Sequence, residues 1–149
     1  MLGSITIKSH HMHWLIQASA IGSQTKKFSK LYLEELDDLL AEHKEFDHFF
    51  ANRTPYFVRT NTVSLKYGQH GVGPYFDLRS IIESAVTCIP GHSPIHEAHP
   101  MLPQSSLTFY LLPWVELNTD SEFRVFVCGN RITAISQQVC MQRNKLLGE

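Results

Sequence analysis

The stretch "EFRVFVCGNRITAISQQ", Glu122 to Gln138, decides how this chain is read. Gly129-Asn130 is a two-residue loop of the kind that closes a tight hairpin. Counting outward from it pairs Cys128 with Arg131, Phe126 with Thr133, Arg124 with Ile135 and Glu122 with Gln137. Side chains alternate between the two faces of a strand. Phe123, Val125 and Val127 therefore point one way with Ile132 and Ala134, and this is the expected core face. The other face carries Glu122, Arg124, Phe126, Thr133, Ile135 and Gln137, with its polar groups gathered at the open end. Two readings of that polar end stand side by side. One is a surface ion pair of Glu122 with Arg124, worth less than about 1 kcal/mol. The other is a ligand cleft floored by Phe126 and Ile135, in which Glu122 holds Arg124 as a donor for phosphate oxygens.

Working outward, Leu107 to Leu112 reads as a further strand. Between it and the hairpin lies "PWVELNTDS". Upstream, "TKKFSKLYLEELDDLLAEHKEFDHFF" (25–50) places Phe28, Leu31, Tyr32, Leu36, Leu39 and Leu40 at helical spacing, with Thr25 as its N-cap. Its charged residues form a solvated face. Pro55 opens "YFVRTNTVSLKYG", rich in aromatic and β-branched residues and expected to be strand, turn, strand. Gly68, Gly71 and Gly73 mark a loop. Asp77 caps an expected helix from Leu78 to about Val86 that buries Ile81, Ile82 and Ala85. The proline-rich stretch 89–106 is a loop, the segment with fewest apolar anchors and the best candidate for mobility. Residues 1–24 are read as an N-terminal extension of unassigned order. The sum is an α+β protein, an antiparallel sheet with flanking helices, in a single domain over 1–149.

Bulk properties narrow the function classes. A net charge of −1 over 149 residues provides no basic field for nucleic acid. No apolar run is long enough to span a bilayer, and "MLGSITIKSHHMHWL" lacks the layout of a secretory signal. Cys88, Cys128 and Cys140 form no CxxC pair and no disulfide framework. A reducing, cytoplasmic setting is the natural expectation.

Other candidate chemistry is thinner. His92, His96 and His99 have metal-like spacing, but Pro94 and Pro100 oppose the helix that would align them, so a histidine-rich loop is the plainer reading. The "HHMH" run, His10 to His13, is either a weak adventitious metal binder or an unremarkable terminus, and the second is preferred. "KYGQHGVG" (66–73) is not a Walker A loop, because no Gly-Lys-Ser/Thr follows its glycines. A glycine loop over phosphates and a solvent-exposed turn both fit it, the turn better.

At the level of motif, "LLPWVELNTDSEFRVFVCGNRITAISQQ" resembles the D-one-two-three family, the cell-division-cycle-type assembly factors for eukaryotic translation initiation factor two. The residues carrying it are Leu111, Leu112, Trp114, Glu116, Glu122, Phe123, Arg124, Phe126, Val127, Ile135, Ser136 and Gln137. Upstream, Phe57, Asn61 and Lys66 are similar to the family's phenylalanine-proline-lysine-leucine-asparagine segment, with Arg59 in place of its first lysine. The resemblance implies an ATP-grasp-like fold that binds ATP between two α+β lobes and acts as an assembly chaperone, not a metabolic enzyme. It implies phosphate contacts from Arg59, Lys66 and Arg124. It makes Leu111 to Glu116 the hinge, with backbone groups reading adenine, Leu112 and Trp114 among its nucleotide-binding residues and Glu116 near the ribose, and it puts Gln137 on the cleft wall. The expected partners are ATP and a protein, a translation initiation factor subunit, with no nucleic acid and no membrane.

There are departures. Gln138 and Val139 stand where the family has arginine and aspartate, and residues 88–103 replace a strand with a nucleotide-contacting lysine. The family's Mg²⁺ ligands would fall beyond Glu149, so the expectation is a domain incomplete at its C-terminus: a fragment, a shortened relative that binds nucleotide weakly, or one that has lost nucleotide binding, with Mg²⁺ doubtful in each. Two other classes stay in play. One is an ATP-grasp ligase joining a carboxylate to an amine. The other is a nucleotide-free interaction module built on the Trp114 region and the 90–103 loop.

Overall fold

A computed structural model describes residues 3–95, 106–118 and 122–137. The chain is α+β with antiparallel sheets and divides into two compact units, residues 1–114 and 115–149. The boundary falls between Trp114 and Val115.

The first unit begins with β1 (Gly3–Ile7) and a 3₁₀ turn (Ser9–His11), followed by α1 (Met12–Thr25). The segment read from sequence as an extension thus supplies an edge strand and a core helix. Alternation puts Ile5 and Ile7 of β1 inward, both fully buried. In α1, Met12, Leu15 and Ala18 recur at helical spacing and are buried with Trp14.

The single helix expected over 25–50 is instead broken. Thr25 is the last residue of α1 rather than an N-cap, and its hydroxyl donates to Ile21 O at 3.1 Å. Lys26 follows in the left-handed region (φ 59°), where its N–H closes on Gly22 O and ends the helix. Ser29 caps a 3₁₀ turn (Lys30–Tyr32), accepting from Leu31 N, and α2 (Leu33–Glu42) follows. Leu36 and Leu39 are buried as expected, but the 3₁₀ turn leaves Leu31 78% exposed. A further turn (Lys44–Phe46) leads to α3 (Asp47–Phe50).

Next comes β2 (Tyr56–Arg59). The expected second strand after it shrinks to one bridge, Arg59 to Ser64. Helix α4 (Leu78–Thr87) forms as read from sequence. Asp77 Oδ1 accepts from Ser80 N at 2.7 Å, and Ile81, Ile82 and Ala85 are fully buried. Strand β3 (Leu107–Pro113) runs in the middle of the sheet, antiparallel to β1 and β2. Its register pairs Phe109 with Ile5, Leu107 with Ile7 and Leu111 with Val58. These six buried side chains share one face and join Leu15, Leu36, Leu39, Ile81 and Ile82 in one core.

The second unit holds a hairpin, β4 (Phe123–Cys128) and β5 (Arg131–Gln137). Gly129 (φ 55°) and Asn130 (φ 59°) close it with positive φ at both loop positions, which matches the strand twist. Near the turn the expected pairing holds, with Cys128 opposite Arg131. A β-bulge then intervenes, so Phe126 faces Ala134, Val125 faces Ile135, Arg124 faces Ser136 and Phe123 faces Gln137. Thr133 is the extra residue, and its hydroxyl donates to Phe126 O at 3.2 Å.

That one-residue shift redistributes the faces. Directly opposed residues point to the same side. Phe123, Val125, Val127, Ile132 and Ile135 therefore share a face with Gln137, while Arg124 and Phe126 lie on the other. The expected floor of Phe126 with Ile135 does not exist, and Glu122 is not the partner of Gln137. Nor is the apolar face a core: all five of its apolar side chains are 48–64% exposed.

Candidate functional site

The seven side chains singled out from sequence divide between the units. Arg59, Lys66, Leu112 and Trp114 belong to the first; Glu116, Arg124 and Gln137 belong to the second.

In the first unit, β2 and β3 place Arg59 opposite Tyr110 and Phe57 opposite Leu112. All four lie on the sheet face turned away from the buried core, where residues are half-buried or exposed. Alternation dictates this, because Val58 and Leu111 take the inner face. Arg59 is exposed, and its Nε donates to Thr60 O at 3.2 Å. After the bridge from Arg59 to Ser64 the chain turns, and Lys66 lies in that turn. Lys66 is exposed, its ammonium 5.1 Å from the Tyr67 ring centroid, a cation–π distance. Tyr67 in turn packs on His92 at 4.4 Å. The N–H of Trp114 donates to Pro55 O, and its ring lies over Gly73, where a Cβ would meet Trp114 Cζ3 at 3.2 Å.

The glycine stretch after Lys66 is not a phosphate cradle. Four of its N–H groups are already taken, Gly68 by Leu65 O, Gln69 by Thr87 Oγ1, His70 by Ser84 Oγ and Gly71 by Gly68 O. Gly68 packs so tightly on α4 that a Cβ would lie 2.3 Å from Ser84 O. His70 Nε2 meets Glu83 Oε2 at 2.6 Å and Gln69 Oε1 accepts from Phe28 N at 2.7 Å. The loop is a clasp on α4, and any phosphate contact there falls to side chains.

In the second unit, Glu116, Arg124 and Gln137 are all exposed. The bulged register puts Arg124 and Gln137 on opposite faces of the hairpin, against the shared face expected from sequence. His96, His99, Gln138, Val139 and most of the 89–106 loop lie outside the described residues.

Two pockets of the first unit, about 310 Å³ beside Ser19, Ser23 and Pro90 and about 500 Å³ beside Asp37, Lys44 and Arg79, contain none of the seven residues. No helix among the described residues is long and apolar enough to cross a membrane. Cys88 is fully buried, and burial pushes its thiol up to about 11; Tyr75, also buried, is pushed up to about 12.

A second constellation involves the His10–His13 run, which on sequence alone reads better as an unremarkable terminus than as a weak metal binder. The 3₁₀ turn before α1 and the C-terminal end of α2 bring His10 and His11 to Glu42. His10 Nε2 lies 3.1 Å and His11 Nε2 3.5 Å from Glu42 Oε2, with Lys8 Nζ at 3.3 Å from the same oxygen. The Trp14 indole N–H donates to His11 Nδ1 at 3.2 Å. Behind them His43, also buried, bonds Leu39 O through Nδ1 and packs 5.8 Å from His11. Burial holds His11 below the ordinary histidine value, as do His10 and His43, against the pull of Glu42. Glu42 is held below the usual carboxylate range, first by its hydrogen bond from Lys8. The distance along the chain from His11 to Glu42 hides this grouping from any local motif.

Compared with known proteins, the chain matches no family model, and no curated protein or solved structure is significantly similar to it.

Proposed function

We propose that the chain is a nucleotide-binding assembly factor that binds ATP and grips a protein partner, on the pattern its hairpin motif resembles. The observation that carries this reading is the position of the unit boundary. It falls between Trp114 and Val115, inside Leu111 to Glu116, the stretch that the resemblance makes the hinge. In ATP-grasp-like proteins a hinge of this kind joins two lobes, and a division of the chain at this stretch supports the reading.

The first-unit residues fit the role assigned to them. Arg59 and Lys66 are exposed cations of the first unit, able to meet phosphate oxygens as charge-assisted donors. Leu112 offers a half-buried apolar surface on the same sheet face. Arg124 supplies the cation of the second unit; Gln137, on the other hairpin face, is better assigned to partner contact than to the nucleotide. ATP would bring negative charge that these cations neutralise, and Mg²⁺ bound with it would bridge the phosphates. The protein partner, by the same resemblance, is a translation initiation factor subunit. The test is ATP binding that weakens when Lys66 or Arg124 is truncated.

One observation favours a second reading, a nucleotide-free interaction module. The face of Phe123, Val125, Val127, Ile132 and Ile135 is apolar and exposed, on a two-stranded hairpin of a size that is marginal by itself. Under this reading ATP leaves the chain unchanged, and Val125→Asp abolishes partner binding.

A further inference from the structure

We propose that His10, His11 and Glu42 form a binding site for a divalent transition-metal ion of the zinc class, separate from the nucleotide residues. The donor set comes first. Two imidazole nitrogens and a carboxylate oxygen lie within 4.8 Å of one another. Ligands about 2.0–2.1 Å from a tetrahedral ion stand about 3.4 Å apart. The distances from Glu42 Oε2 to the two Nε2 atoms, 3.1 and 3.5 Å, bracket that spacing.

His11 gives an independent reason. It is only 4% exposed, yet among the described residues its Nε2 reaches nothing better than Glu42 Oε2 at 3.5 Å, the outer limit of a hydrogen bond. A buried polar atom left in this way is costly unless something takes it. Coordination would do so.

The chemistry of the set selects the ion. Two imidazoles with one carboxylate suit zinc, cobalt or nickel; calcium and magnesium favour oxygen donors, and copper(I) favours sulfur. Three protein ligands leave a fourth position for water.

Two neighbours oppose the ion and must yield. Lys8 occupies the cation position beside Glu42, but its side chain is 51% exposed and the pair is a surface contact, weak and readily exchanged. Trp14 donates to His11 Nδ1, and an indole can only donate, so the proton of neutral His11 sits on Nε2. When the metal takes the Nε2 lone pair, that proton is released there and one is taken up at Nδ1. The net charge of the imidazole is unchanged, and the Trp14 hydrogen bond is lost. Trp14 therefore reports occupancy.

The experiment is titration of the untagged full chain with Zn²⁺ by calorimetry, and with Co²⁺ by visible absorption. The chain has two tryptophans, so Trp114→Phe leaves Trp14 fluorescence as the reporter. One ion per chain is expected, with a Trp14 signal that saturates at the same ratio. His10→Ala and Glu42→Gln, both exposed positions, should each weaken binding by about tenfold or more. His13→Ala, in the same histidine run but outside the set, should leave it unchanged. Binding lost with His13→Ala but kept with Glu42→Gln would overturn the site in favour of simple chelation by the histidine run. Absence of binding at micromolar Zn²⁺ would overturn it outright.

Discussion

Ile135 stands directly across the hairpin from Val125, not from Arg124. The bulge at Thr133 causes this and turns Ile135 to the apolar face. Cysteine pairs read the register. In a Cys128→Ser chain, Val125→Cys with Ile135→Cys is expected to oxidise to a disulfide, since opposed residues bring their Cβ atoms within reach. Arg124→Cys with Ile135→Cys lies on opposite faces and is expected to stay reduced. Mass measurement after mild oxidation distinguishes them, and the reverse result would restore the unbulged hairpin.

The clasp between the glycine loop and α4 makes a stability prediction. Gly68→Ala forces a methyl against backbone atoms of Ser84 and is expected to destabilise by about 1–3 kcal/mol. Thr87→Val removes the acceptor of Gln69 N and is expected to cost about 1–3 kcal/mol. Urea denaturation measures both. Wild-type midpoints would show that the loop is not pinned.

How much was legible in sequence follows from where the signals sit. Helix α4 was visible because Asp77 and the spacing of Ile81, Ile82 and Ala85 are local, and β3 because it alternates. The hairpin turn was visible in Gly129-Asn130, but a turn fixes register only beside itself. A bulge two pairs away depends on Thr133 reaching Phe126 O, which no alternation rule anticipates. Helix α1 was missed because Ala18, Ser19, Ala20 and Gly22 are small and give a weak apolar stripe, while its histidine-rich start resembles a terminus. The long helix over 25–50 was over-read because Leu31 and Tyr32 continue the spacing across a break set by the backbone at Lys26 and Ser29. For the site, the shared face of Arg59 and Leu112 came only with the pairing of β2 and β3, which no local pattern gives. The grouping of His10, His11 and Glu42 required the tertiary fold.

The capping bond of α4 sets a smaller expectation. Asp77→Ala should destabilise by about 1 kcal/mol, because Ser80 N loses its acceptor in the first turn. A thermal melt suffices. No shift would mean that the helix start is held by packing alone.

Cys88 and Cys128 should differ in chemistry. At pH 8 a thiol with its value near 11 is about a hundredfold less ionised than one at the ordinary 9.0, and Cys88 is also fully buried. In a Cys140→Ser chain, a thiol reagent is expected to modify Cys128 at once and Cys88 only on unfolding. The same shift carries a pH dependence. The unfolded thiol ionises from about pH 9 and the folded one only near 11, so stability is intact below pH 9 and falls by about 2–3 kcal/mol toward pH 11. Tyr75, raised from 10.0 to about 12, adds to the loss above pH 10. Chemical denaturation across that range measures it, and a flat profile would contradict the burial of both groups.

The central measurement is calorimetric titration of ATP into the full chain, with and without Mg²⁺, and into Lys66→Ala and Arg124→Ala. Saturable binding is expected, strengthened by Mg²⁺ and weakened about tenfold to a hundredfold by either substitution, the worth of a charge-assisted bond to phosphate. No binding at millimolar ATP, or binding indifferent to both substitutions, would contradict a nucleotide cleft and leave the exposed apolar face of the hairpin as the working surface.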